Sequence, residues 1–261
     1  MLKLIKYELI GKYKSFGILI LLIILLNLGL ISRMNHWETE LLVMLSIFIG
    51  MAIGVTLLVW CINLFAQDLY DDKGYLTYTL PQRGYSILGS KLIVSAIFYI
   101  IAMCIAAAFS IYFMNNVNDF QMSLDMAGIK IKWLNIAILF LTSFVGVLMT
   151  IYFSISVTRL AIAKKRMGKF AAFIIFAIIN TIEGLISYKI IDKVFNHTFY
   201  IKIFGFLQGT NTINNSNMDS DLTSLIVNGI PLNTANVIFQ VIIFIVFFIL
   251  TSYIIEKKID L

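Results

Sequence analysis

Six stretches of this chain run apolar for about 17 residues or more, and short polar segments separate them. They lie near residues 16–32, 41–66, 92–114, 134–158, 170–187 and 235–255. A helix needs about 20 residues to cross a hydrocarbon core of about 30 Å. Each run therefore predicts a membrane-spanning helix. The runs are continuously apolar rather than alternating, which predicts helices and excludes a barrel. The expected fold is all-α integral membrane: one domain over residues 1–261, six spans, and no stretch left for a soluble catalytic domain.

Composition points the same way. Hydrophobic residues make up 60% of the 261, and only 13% are charged, against about 25% in a soluble domain. With mean hydropathy at +0.93, the apolar surface exceeds what a soluble domain of this size buries. The first run follows a basic stretch and lacks a small-x-small cleavage site, so it reads as a span and not as a cleavable leader.

The net charge of +6 changes the picture only through its distribution. With the N-terminus inside and six alternating spans, fourteen of the 20 Lys and Arg residues fall on the inner side. That asymmetry is the positive-inside bias and predicts both ends in the cytoplasm. The charge is topological, with a secondary attraction to anionic headgroups, and no nucleic-acid partner is expected. Cys61 and Cys104 sit within predicted spans and read as small buried hydrophobes. No metal-ligand spacing occurs, and His36 and His197 fall in outer loops.

The segments between spans carry further expectations. Residues 1–15 place Leu2, Ile5, Leu9 and Tyr13 on one helical stripe, predicting an amphipathic interfacial helix on the inner leaflet before the chain turns into the membrane. Trp37 and Trp133 stand at belt height. Gly50-x-x-x-Gly54 is a small-residue spacing that lets helices approach closely. The outer segment 188–233 has two apolar stretches, "FYIKIFGFLQG" and "LTSLIVNGIPL", around an Asn/Ser-rich middle. Both are too short to span and read as re-entrant or interfacial helices.

The inner segment 67–91, "QDLYDDKGYLTYTLPQRGYSILGSK", is the most unusual. Its stretch from Gly84 to Lys91 imitates a phosphate-cradling loop, but Ser90 and Lys91 stand in the wrong order and a span follows at once, so no nucleotide site is expected. Tyr75, Leu76, Tyr78 and Leu80 are too many apolar residues for a solvated loop and too few for a span, and Pro81 stops any helix begun near Asp72. A short helix with an aromatic centre and a rim of Asp71, Asp72 and Lys73 has the composition of a protein-docking surface.

The run from Asp68 to Ile93, "DLYDDKGYLTYTLPQRGYSILGSKLI", resembles the first cytoplasmic loop of bacterial ABC-2-type permeases, with its "D-x-Y…GYL-x-x-TLP…I-L-x-SKL" pattern. These are membrane subunits of ABC exporters. The resemblance implies that the segment is a coupling helix docked on a separate ATPase subunit. Asp68, Tyr70, Gly74, Tyr75, Leu76, Thr79, Leu80, Pro81 and Lys91 would be the contact or loop-shaping positions, with Lys73 beside them. It further implies a second permease (this chain again or a relative), no cofactor on this chain with ATP and Mg on the partner, and the bacterial plasma membrane. Relatives that export amphipathic peptide toxins look most similar, which implies an amphipathic or hydrophobic cargo.

Within the spans, Glu183 is the one acidic residue well inside, and a central carboxylate costs about 3 kcal/mol of insertion free energy. It is read either as lining the export path, with Asn180 one turn earlier, or as pairing with Lys189 at the outer rim. Asn27, Asn63, Asn180 and Gln240 are expected to hydrogen-bond between helices. No catalytic constellation of an intramembrane enzyme is present, so the chain is read as a transport subunit and not an enzyme. The competing reading is a membrane sensor or scaffold that docks a cytoplasmic partner and moves nothing.

Overall fold

The computed structural model describes residues 2–34, 36–37, 39–70, 83–115, 129–131, 133–161, 168–191, 198–201, 204–206 and 230–257. Six long helices follow the six apolar runs: α1 (Leu2–Ser32), α2 (Thr39–Tyr70), α3 (Gly84–Asn115), α4 (Trp133–Ala161), α5 (Gly168–Ile186) and α6 (Thr234–Lys257). All six are long and apolar enough to cross a membrane. The helical form follows from the solvent, because in lipid each backbone N–H and C=O must be satisfied within its own segment. A one-turn π-helix, Ser187–Ile191, continues α5.

The helices overrun the apolar runs, mostly at one end of the bundle. α2 continues through Asp68 and Tyr70, and α3 starts at Gly84 rather than near residue 92. No Gly or Pro interrupts Gln67–Tyr70 or Tyr85–Leu92 apart from Gly89, and a single glycine inside a helix costs only about 1 kcal/mol.

α1 corrects the sequence expectation of a separate interfacial helix. It runs unbroken through residues 2–32, with no turn near residue 15. Its inner face explains why. Ile5, Glu8, Leu9, Lys12 and Phe16 form one stripe that is half-buried or buried, and Lys12 Nζ donates to Gln67 Oε1 of α2 at 3.0 Å. The first turns are thereby held upright along the bundle.

The second correction concerns the outer segment. Of the two stretches expected as re-entrant or interfacial helices, residues 199–201 and 204–206 of the first and 230–232 of the second are described, and these lie in strands: β2 (Thr198–Ile201), β3 (Phe204–Phe206) and β4 (Ile230–Asn233). β3 pairs antiparallel with β1 (Ile129–Ile131), and β2 with β4. These stretches are rich in aromatic and β-branched residues and too short for a helix to gain from packing. Pro231 fits because a two-stranded pair is all edge. Asn233 then starts α6 as its N-cap, its Oδ1 accepting from the Ala235 N–H at 2.9 Å.

Stacked rings bind the core. Phe65 of α2 lies on Tyr152 of α4 at 4.2 Å, Tyr99 of α3 on Phe144 of α4 at 3.9 Å, and Phe153 of α4 on Phe247 of α6 at 4.5 Å. Phe16 of α1 meets Phe98 of α3 at 4.2 Å. α4 is thus the shared wall for α2, α3 and α6. α5 packs on α4 alone among the helices that make substantial contact with it.

Candidate functional site

Among the described residues, the most deeply held stretch is the first two turns of α3, directly after residues 71–82. Gly84, Ser86, Ile87, Leu88, Gly89, Ser90, Lys91 and Leu92 are all buried. Gly84 makes this seating feasible. A Cβ there would collide with the Ser252 carbonyl oxygen of α6, so only glycine allows α3 and α6 to touch. The Gly84 N–H, one of the donors that a helix start leaves unsatisfied, donates to Glu256 Oε2 of α6 at 3.3 Å. A carboxylate there also favourably meets the positive end of the helix dipole.

Two turns on, Lys91 is 2% exposed at its side chain and lies 3.4 Å from Glu8 Oε1 of α1. A lone buried ammonium would be very unfavourable, and the carboxylate makes the charge tolerable. The neighbouring Ser90 hydroxyl donates to the Ile87 carbonyl at 2.8 Å and stands 3.5 Å from the same Glu8 oxygen. The start of α3 is therefore held by one acid from the first helix and one from the last. These contacts also place the start of α1 and the end of α6 at the same end of the bundle.

Lys91 is where the site departs from the sequence expectation. It was grouped with the positions contacting or shaping an exposed loop, yet it lies inside a helix and is buried. The reason is the early start of α3, which carries residues 84–91 into the bundle. Asp68 and Tyr70 end up on the last turn of α2. Lys73, Gly74, Tyr75, Leu76, Thr79, Leu80 and Pro81 lie outside the described residues.

Deeper in, a small polar node joins three helices. Tyr152 is fully buried, and its hydroxyl donates to the Cys61 carbonyl of α2 at 3.1 Å. Its single proton is then spent, so at 3.2 Å the Ser95 hydroxyl of α3 is the donor and Tyr152 the acceptor. At the other end of the bundle the Ser46 and Ser110 hydroxyls meet at 3.2 Å between α2 and α3, and Ser187 donates to Asn236 at 2.7 Å. Sequence reasoning missed these hydroxyl bridges. It also expected Asn27 and Asn180 to bond across helices, whereas each donates to a carbonyl one turn back in its own helix, at 2.9 Å. Nor does Gly50-x-x-x-Gly54 seat a neighbour among the described residues of the chain, where a Cβ at either glycine would meet nothing within 4 Å.

Glu183 belongs to the α5 stripe with Ala172, Ile175, Phe176, Ile179 and Ile186, the covered side of that helix. Its Oε1 is buried without a hydrogen-bond partner among the described residues. No ion pair joins it to Lys189, which is exposed, so the rim-pair reading is corrected. Asn180 is exposed.

Comparison with family models, curated proteins and solved structures finds no match to this chain.

Proposed function

We propose that the chain is the membrane-spanning permease subunit of an ABC exporter, with both ends in the cytoplasm of a bacterial plasma membrane. It moves an amphipathic or hydrophobic substrate, a peptide in class, outward at the expense of ATP hydrolysed on a partner subunit. The observation that carries the reading is the 26-residue run from Asp68 to Ile93, whose pattern resembles the coupling loop of ABC-2-type permeases. The seating of its downstream half supports it. A partner that pulls on residues 71–82 pulls on a helix start fixed to α1 through Glu8 and to α6 through Glu256. Displacement there is passed to three helices at once rather than absorbed in a loop. Six helices long and apolar enough to span, with the start of α1 and the end of α6 at one end of the bundle, agree with such a subunit.

Co-purification tests this. The chain is expressed with a candidate ABC ATPase subunit, as wild type and as Leu80→Asp. The wild type is expected to retain the ATPase stoichiometrically, and the variant to lose most of it while staying folded. Failure of any ATPase to associate with the wild type would overturn the exporter reading and favour a sensor or scaffold.

A further inference from the structure

The first half of α1 sorts its charges by side. Of the charged residues on residues 3–14, Glu8 and Lys12 turn inward, to Lys91 and Gln67. Lys3, Lys6 and Lys14 turn outward and are exposed, and among the described residues no carboxylate lies within ion-pairing distance of any of them. Tyr7 and Tyr13 share that outward side, 72% and 57% exposed.

Depth locates this face. A helix of 31 residues is about 46 Å long, roughly 16 Å more than the hydrocarbon core. The apolar run of α1 begins only at Phe16, so the excess is the lysine-bearing half, at the level of headgroups. Following the outward side down the helix, Lys3, Tyr7, Ile10 and Lys14 recur every three or four residues. The same line continues through Ile18, Leu21, Leu25 and Leu28, each at least half exposed.

We propose that this line is a binding face for anionic phospholipid. The lysines and tyrosines meet the headgroup phosphate, and the aliphatic residues below meet the acyl chain. Cation above and hydrocarbon below, on one continuous stripe, is the inverse of an anionic lipid. A soluble acidic partner matches only the upper half, and free phosphate matches only the lysines. The face works through charge placed near the surface, to which each lysine contributes about fivefold in binding. It is independent of whether the chain transports anything.

The test is native mass spectrometry of the full chain taken from mixed phosphatidylglycerol and phosphatidylcholine vesicles, counting retained lipids of each kind. Wild type is expected to retain phosphatidylglycerol in preference, and Lys3→Gln/Lys6→Gln/Lys14→Gln to lose that preference by on the order of a hundredfold. The triple Lys→Arg variant should keep it, and 10 mM-range inorganic phosphate should not compete. Equal retention of the two lipids by wild type would overturn the proposal, and so would an unchanged preference in the triple Gln variant or displacement by inorganic phosphate. Should the triple variant fail to fold, the wild-type preference decides by its salt dependence: loss of the preference at high salt supports the face, and a salt-independent preference contradicts it.

Discussion

Helices α3 and α5 are both apolar and each follows a short polar stretch of sequence, yet they are held in opposite ways. A third of the apolar window of α3 is buried (33%), against 6% for α5. The first turns of α3 carry glycine, serines and a lysine, all buried and all serving contact. α5 carries Phe170, Phe173, Ile174 and Ile178, all exposed. In a membrane, hydrophobicity brings a helix into the bilayer but does not bring it to another helix, since lipid is as apolar as leucine. What seats a helix is close approach and polar pairing, and α3 has both.

The contrast breaks most sharply at Lys91. Lys91→Met or Glu8→Gln removes one member of the buried ion pair, with an expected loss of about 3–5 kcal/mol seen as a lower unfolding midpoint in detergent. The double change Glu8→Leu/Lys91→Met removes both charges and should recover most of that loss. Gly84→Val comes next: its side chain meets the Ser252 carbonyl, and overpacking of this kind costs about 1–3 kcal/mol. Tyr152→Phe removes a hydroxyl that serves Ser95 and Cys61, for about 1 kcal/mol. On the other side of the comparison, Ile178→Val on the exposed face of α5 should shift the same midpoint by no more than about 0.5 kcal/mol. A large effect there would mean that the face is covered in the detergent-solubilised protein, and the contrast would fail.

Legibility in the sequence followed the same division. The six spans could be read because continuous apolar runs have no other stable form in a membrane, and their positions agree with the helices to within a few residues at most ends. The start of α3 could not. Residues 84–91 mix Gly, Ser and Lys, which by composition belong to a loop, and only the partners Glu8 and Glu256, 83 and 172 positions away, make them helical and buried. Long-range pairing of that kind leaves no local pattern. The strands of the outer segment were missed for a related reason: three or four residues show no period, and their order comes from pairing with distant chain. Gly84 and the Gly50/Gly54 pair make the point most plainly. A glycine spacing that looks suited to helix packing meets nothing, while a glycine in an apparent loop carries the closest helix approach among those described.

We propose that the start of α3, through Glu8 and Lys91, carries motion from a docked ATPase into the bundle. The most direct measurement is ATP turnover by the co-purified complex in lipid vesicles, with and without an amphipathic peptide, for wild type and the double variant Glu8→Leu/Lys91→Met. The account predicts that the variant keeps its ATPase and its basal turnover but loses most of the peptide stimulation. Stimulation equal to that of the wild type would contradict it.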